Sequence, residues 1–221
     1  MRHLLTFILV ITLATLSLHA QNRALKNRFN AGVVLGFNTS QIDGDQYMGY
    51  DKYGFFAGVR GIARITENFE LVIEMLYNKK GSRDPDQFVP GSSSNRFISL
   101  DYIEIPILFH FKVDGKYGAG GFELGMSYGQ LFGTRINEHV RNINFSSFAA
   151  IRDDFNNDDL ALIVGGGIFV TDHIRLMGRL NYSLNHLYKN DLPPEILIDN
   201  PLEIRSMRNL QLGVGVNYVF K

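Results

Sequence analysis

The sequence predicts an all-β protein, an eight-stranded antiparallel up-and-down β-barrel that spans a membrane and closes around a charge-filled lumen. Three observations lead to this prediction. From Phe29 onward, apolar and polar residues alternate with a period of two, as strands with two different faces require. Short and long connections alternate between the strands, and aromatic residues gather at both ends of the apolar faces. Transmembrane barrels combine these three features.

Composition narrows the class of protein. The 221 residues include no Cys, and 22 Lys plus Arg balance 22 Asp plus Glu. The chain therefore has no disulfide framework and no thiolate metal site, and its charge gives no reason to expect a nucleic-acid partner. The mean hydropathy of −0.04 argues against a bundle of membrane helices but is normal for barrel strands, which are half apolar.

The N-terminus resembles a secretory signal peptide. Arg2 precedes an apolar run over residues 4–18, and Ala20 supplies a small residue for cleavage. An uncleaved anchor is the alternative, but the run is short for a helical span of about 20 residues. We predict a signal peptide at residues 1–20, a short periplasmic segment at 21–28 and the barrel domain at 29–221.

Eight segments show the alternating pattern. They cover residues 29–39, 53–65, 69–80, 97–112, 117–133, 159–170, 174–184 and 209–220. Residues 66–68, 114–115 and 171–173 form short connections, and Asp114-Gly115 suits a type I′ turn. The other connections are long, at residues 40–52, 81–96, 134–158 and 185–208. This arrangement predicts periplasmic turns and extracellular loops in a cell outer membrane.

Aromatic residues flank an aliphatic band on the apolar faces. Phe29, Phe69, Phe109, Phe111, Tyr218 and Phe220 lie near the short turns, and Phe37, Tyr53, Phe55, Tyr77, Phe97, Tyr128, Phe132 and Tyr182 lie near the long loops. Two such girdles match the two interfaces of a bilayer. A soluble barrel of the lipocalin type is the alternative, but the Gly-rich opposite face and the aromatic C-terminus argue against it.

The polar face carries regularly spaced charges. With a loop at residues 66–68, opposed residues sum to 134, so Arg64 faces Glu70 and Arg60 faces Glu74. The same register pairs apolar residues on the other face, which is how register is normally specified. By the same alternation, Glu104, Glu123, Arg175 and Arg179 also point inward.

The turns predict two layers of charge inside the barrel. Arg64, Glu70 and Arg175 lie low, Arg60, Glu74 and Arg179 lie higher, and Glu104 and Glu123 lie slightly above them at similar heights. Four Arg and four Glu make a neutral interior. An eight-stranded barrel just accommodates its own side chains, so these groups predict a structural plug. Inward glycines, at 32, 36, 121, 125, 165 and 167, make room for them.

Four segments resemble the PorT-like outer-membrane β-barrel family. They are residues 31–45, 69–81, 100–112 and 162–187, and YIEIP at 102–106 is the most specific of them. The resemblance implies an outer-membrane location and an eight-stranded barrel. It also implies possible partners among secretion proteins, because the namesake of the family takes part in protein secretion. It brings no catalytic residue and no cofactor.

Other patterns are weaker. Ser183 and His186 offer a nucleophile and a base for lipid A chemistry, but alternation turns Ser183 inward. His110 is interpreted as an interior histidine beside Lys112. Residues 43–45 (DGD) are interpreted as a turn rather than a calcium loop. Residues 165–167 (GGG) are interpreted as part of a strand rather than a phosphate-binding loop. Loops 142–158 and 190–204 are rich in apolar residues, and either pack on each other as a cap or present a binding surface.

The C-terminal strand resembles the signal that the barrel-assembly machinery reads, through Gly213, Val216, Tyr218 and Phe220. The expected partners are therefore outer-membrane lipid and, during biogenesis, that machinery. The sequence favours a non-enzymatic barrel, either structural or binding through its extracellular loops. The alternatives are a component of a secretion apparatus, a lipid A-modifying enzyme and a small gated channel.

Overall fold

The computed structural model describes residues 28–45, 49–84, 95–115, 118–139, 148–189 and 206–220. The predicted signal peptide and residues 21–27 of the predicted periplasmic segment lie outside these ranges. Loop 190–204 and residues 142–147 of the other apolar loop also lie outside the described residues.

Nine strands and a 3-10 helix make up the described fold. They are β1 (Phe29–Asp43), β2 (Lys52–Arg64), β3 (Phe69–Arg83), β4 (Asn95–Gly115), β5 (Gly118–His139), the helix (Phe148–Asp154), β6 (Asp158–Phe169), β7 (Ile174–Ser183), β8 (Tyr188–Lys189) and β9 (Ser206–Phe220). Among the residues described, no helix is long and apolar enough to cross a membrane.

The strands close into a ring. Each of β1 to β7 pairs antiparallel with its neighbour in the chain, β7 pairs with β9, and β9 pairs with β1. The two residues of β8 extend the sheet beside the start of β9. Eight strands thus form the up-and-down barrel that the sequence predicts, and closure leaves the barrel wall without a free edge.

The register of β2 against β3 agrees with the prediction, since Arg60 lies opposite Glu74 and Arg64 opposite Glu70. The prediction for β4 and β5 is wrong. Asp114 and Gly115 are strand residues rather than a turn, and Gly115 pairs with Gly118. Glu123 therefore lies opposite His110 and Glu104 opposite Gly129, so the two glutamates are far apart in height. The predicted and the observed register leave the same side chains of β4 and β5 inside the barrel, because the two registers differ by an even number of residues.

Several strands continue beyond their predicted ends at the long-loop end of the barrel. β1 reaches Asp43, β3 reaches Arg83, and β5 reaches His139. Extension lets these residues pair their backbone groups in the ladder instead of in a loop. A bulge near Asp101 shifts the register of β4 against β5, and Arg135 lies on the outer side beyond it with an exposed side chain.

The outer face of the barrel is apolar and ringed by aromatic side chains. Exposed aliphatic residues such as Val59, Ile105 and Leu124 occupy its middle. Phe69 packs on Phe111 near the short turns, with ring centroids 5.0 Å apart, and Phe55 packs on Tyr77 near the long loops at 5.2 Å. These faces suit contact with lipid rather than water.

The lumen holds apolar clusters as well as the predicted charges. One cluster unites Ile62, Val72, Leu108 and Ile163, and a second unites Val34, Phe56, Leu76 and Met177. A third cluster fills the long-loop end and contains Ile42, Ile98, Leu100, Tyr102, Leu131, Phe155, Leu187 and Met207. The lumen thus contains apolar side chains beside the predicted charges, and apolar packing separates the charged groups.

Candidate functional site in the lumen

The centre of the lumen is crossed by Arg179 of β7. Its guanidinium donates two hydrogen bonds to Glu74 of β3, at 2.6 and 2.8 Å, and a further one to Glu123 of β5. All three side chains are buried. A planar guanidinium suits such a bridge because its donors form a rigid fork that matches carboxylate geometry.

Two more arginines complete this central network. Arg175 donates to the second oxygen of Glu123 at 2.8 Å. Arg60 approaches Glu74 from β2, with Nε 3.6 Å from Oε1. Three arginines thus face two glutamates, and the central network carries one excess positive charge.

Gly165 of β6 allows this network to form across the wall. It pairs with both Glu123 and Arg179, so it lies directly between them. A Cβ at this position would lie 3.0 Å from Cγ of Arg179 and 2.8 Å from the carbonyl oxygen of Gly178. The inward glycine therefore provides the space in which the two long side chains meet.

A second charged group surrounds Glu70 near the short turns. Its carboxylate lies 3.6 Å from Nε of Arg64, 3.1 Å from Nδ1 of His110, and in contact with Nζ of Lys112. His110 is an interior residue, as predicted, and it bonds to Glu70 through one ring nitrogen. A cavity of about 380 Å³ lies at this end of the barrel, lined in part by Arg64, Glu70 and His110.

A third charged group lies nearer the long loops. Lys80 of β3 contacts Glu104 of β4, and its Nζ lies 2.9 Å from Asp159 of β6. Asn78 donates to Glu104 at 2.9 Å and hydrogen-bonds with Gln211 of β9. One lysine and two acids leave this group with one excess negative charge.

The eight charged residues proposed from the sequence thus divide among three separate groups rather than two layers. Arg175 belongs to the central network rather than to the low layer with Glu70. Sequence reasoning missed Lys80 and Asp159, although both stand at inward positions of their strands. We call the third group, around Lys80, the upper charged group. The buried charges of the central network and the upper charged group balance at four against four: Arg60, Arg175, Arg179 and Lys80 against Glu74, Glu123, Glu104 and Asp159.

The long-loop end of the lumen is closed by the apolar cluster defined above, which we call the cap. Phe155, which follows the 3-10 helix, is buried in the cap together with Leu187. Backbone bonds hold these segments in place, with Asn156 N donating to Leu187 O at 2.7 Å and Leu187 N donating to Met207 O at 2.8 Å. Phe155, in the described part of loop 142–158, therefore packs into the cap, whereas packing of the two loops on each other involves residues 190–204, which lie outside the described residues.

The four residues of the predicted assembly signal lie in β9. Val216, Tyr218 and Phe220 are exposed on the outer face, and the rings of Tyr218 and Phe220 lie 5.4 Å apart. Gly213 points inward beneath Phe56, whose ring a Cβ would approach to 3.1 Å.

The structure places two of the weaker sequence patterns, Ser183 and residues 43–45. Ser183 is buried at 2 % exposure, on the lumen side, so its hydroxyl does not face lipid. Gly44 adopts a φ of 95°, which suits the turn expected for residues 43–45. Within the described ranges, no group of His, Asp and Glu has the arrangement of a metal site.

Comparison with known proteins finds a matching family model and several solved structures of similar fold at low sequence identity. The family model described as "Outer membrane protein beta-barrel domain" matches residues 19–189. A comparison with curated proteins found no match.

Solved structures with a similar fold include two of Ail, the attachment invasion locus protein of Yersinia pestis. One has 13 % identity, covers 86 % of this chain and 98 % of that chain, and has a TM-score of 0.46. The other, in complex with the heparin analogue sucrose octasulfate, has 10 % identity, coverage of 87 % and 99 %, and a TM-score of 0.44. Neisserial surface protein A has 12 % identity, coverage of 88 % and 98 %, and a TM-score of 0.40. These likenesses are too distant to bear on function.

Proposed function

The chain belongs to the outer-membrane protein β-barrel domain family, and from that premise we propose that it is a closed, non-enzymatic barrel acting through its extracellular surface. The observation that carries the proposal is the bridge from Arg179 to Glu74 and Glu123, which occupies the centre of the lumen. In this proposal the protein needs no cofactor, and its charged lumen is structural.

Closure of the lumen is supported on both sides of the bridge. Towards the long loops lie Phe56 and Leu76, and beyond them the cap with Leu100. Towards the short turns lie Val72 and Leu108. An ion entering this path would have to displace packed apolar side chains and break buried ion pairs, both of which are costly.

Planar-bilayer conductance tests closure. The purified protein should show no steady current at moderate voltage, because the bridge and the apolar layers on both sides of it block the path. A steady, ion-selective current through the unaltered protein would support the alternative of a small gated channel and contradict the proposal.

An orientation with the long loops outside completes the proposal. Residues 1–20 direct export as a signal peptide, the short turns face the periplasm, and the loops with the cap face the exterior. The cap supports a surface role because it holds the 3-10 helix and Leu187 against a buried apolar base. A rigid scaffold of this kind is where binding loops are usually found.

An enzymatic role is disfavoured by the position of Ser183. Its hydroxyl lies in the lumen, while a lipid A substrate would approach from the outer wall. Mass spectrometry of lipid A from cells with and without the protein tests this. A mass difference between the two would overturn the proposal of a non-enzymatic barrel.

A role in secretion is a second candidate, supported by the resemblance of residues 102–106 to the PorT-like family. These residues lie in β4, with Tyr102 in the cap and Glu104 in the upper charged group. Crosslinking in native outer membranes, followed by mild extraction and mass spectrometry, tests it. Stoichiometric recovery of secretion proteins would favour this candidate, and recovery of the barrel alone would remove it.

A further inference from the structure

A group of basic side chains lies on the outer wall at the long-loop end. Lys79 and Arg83 belong to β3, and Arg135 belongs to β5 beyond the bulge. We call these three residues the basic patch. Lys79 is the next outward residue after Tyr77, a member of the upper aromatic girdle. The basic patch therefore begins at the upper boundary of the apolar wall.

The register brings the members of the basic patch together across three adjacent strands. Lys79 pairs with Asp101 of β4, and Arg83 pairs with Phe97. Arg135 pairs with Ser99, which lies between those two residues of β4. Since neighbouring strands are about 4.8 Å apart, the three cations flank one strand at distances that long side chains span.

Arg83 and the neighbouring Lys52 contact the same aromatic ring, and the cations at this site repel one another. The guanidinium of Arg83 lies 5.6 Å from the ring centroid of Phe97, and Nζ of Lys52 lies 5.0 Å from the same centroid. Nε of Arg83 is buried without a hydrogen-bond partner in the described structure. Burial, followed by the charges of Arg83 and Lys79, lowers the pKa of Lys52 to about 8.

Asp101 does not neutralise these cations. Its carboxylate lies 3.8 Å from Arg135 and already accepts a hydrogen bond of 2.6 Å from the Tyr77 hydroxyl. Within the described residues, Asp101 is the one carboxylate in a salt bridge with any member of the basic patch. The three cations of the basic patch and this one acid leave a local excess of two positive charges.

We propose that the basic patch binds the phosphate of an anionic lipid headgroup in the outer leaflet. The reason is the position of the cations, since basic residues just beyond an aromatic girdle lie at the level of the headgroups. The exposed Arg135 and the half-buried Arg83 donate hydrogen bonds to phosphate oxygens. Lys79, which lies closest to the apolar wall, adds a further positive charge. The assignment to the outer leaflet rests on the proposed orientation, whereas binding itself does not.

The opposite wall differs at the same height. Arg208 of β9 pairs with Asp43 of β1 and donates to the hydroxyl of Tyr182 at 3.3 Å. One cation there lies beside one acid and one phenol, whereas three cations of the basic patch share one acid and one phenol. The excess of positive charge on the β3–β5 side predicts one localised lipid site rather than a uniform collar.

Titration of the detergent-solubilised full chain with lipid A tests the proposal. The probes are lipid A with both phosphates, the same lipid without phosphates, and inorganic phosphate, with bound lipid read by native mass spectrometry. The test variant is Arg83→Gln with Arg135→Gln. The charge-retaining variant is Arg83→Lys with Arg135→Lys, and the control with equal charge loss elsewhere is Arg152→Gln with Lys189→Gln.

The test variant should bind the phosphorylated lipid about thirtyfold more weakly, because each basic residue near a membrane surface contributes about 1 kcal/mol. The Lys variant and the distant control should bind the phosphorylated lipid as the unaltered protein does. Heat-modifiable migration on gels verifies that each variant is folded. Equal affinity of the test variant and the control would overturn the proposal. So would equal affinity for lipid with and without phosphates, or displacement by inorganic phosphate at the lipid's own affinity, which would indicate a free-anion site.

Discussion

Arg179 and Glu74 are 105 residues apart in the chain and meet in the lumen through two hydrogen bonds of 2.6 and 2.8 Å. Each residue lies on a different side of the barrel, so closure of the sheet is what brings them together. Glu74 has both carboxylate oxygens occupied by Arg179, while Arg60, its direct cross-strand neighbour, reaches it only at 3.6 Å. The long-range pair is therefore the stronger of the two.

Removal of one partner of this pair should be costly. Arg179→Met should lower the free energy of unfolding by about 3–5 kcal/mol, because it leaves buried carboxylates without their cation. A double-mutant cycle of Arg179→Met with Glu74→Gln should show stronger coupling than a cycle of Arg60→Met with Glu74→Gln. Urea unfolding in lipid vesicles measures both cycles, and equal coupling energies would contradict the geometry.

Gly165 should be intolerant of a side chain. Gly165→Ala should destabilise the barrel by about 1–3 kcal/mol, in the range of overpacking in a filled interior. The matched control is Gly166→Ala, whose Cβ faces outward and would meet its nearest atom at 3.5 Å. The same unfolding assay compares the two variants. Similar losses at both positions would show that loss of glycine itself, not crowding of Arg179, is responsible.

The cap should contribute to stability through its packing. Ile98→Ala removes a fully buried side chain and should cost about 2–5 kcal/mol, since the cavity it leaves is enclosed by protein. Ile103→Ala, on the outer wall of the same strand, should cost less because lipid can fill the space. If the two variants lose equal stability, the long-loop end of the lumen is not a packed core.

The orientation should be visible by labelling, because the chain has no Cys of its own. In intact cells, a membrane-impermeant maleimide should label Asp153→Cys in the 3-10 helix and should leave Asp172→Cys, in the connection between β6 and β7, unlabelled. Both should react once the outer membrane is permeabilised. The reverse pattern would place the short turns outside.

The sequence by itself determines the two faces of the barrel wall. Alternation with a period of two assigns each residue to the lumen or to lipid, and Arg60, Glu104 and Ser183 all point inward as predicted. The connection at residues 66–68 was also sufficient to define the pairing of Arg60 with Glu74, because a short turn leaves little freedom to the strands that it joins.

Only the tertiary structure decided which charges meet. The Asp114-Gly115 dipeptide predicts a turn, but the ladder of β4 and β5 continues past it and places Glu123 opposite His110. Alternation could not detect this shift, since a register displaced by an even number of residues keeps every side chain on its face. Contacts across the lumen, such as Arg179 with Glu74 and Lys80 with Asp159, depend on closure and on the stagger of the strands, and these are properties of the whole ring.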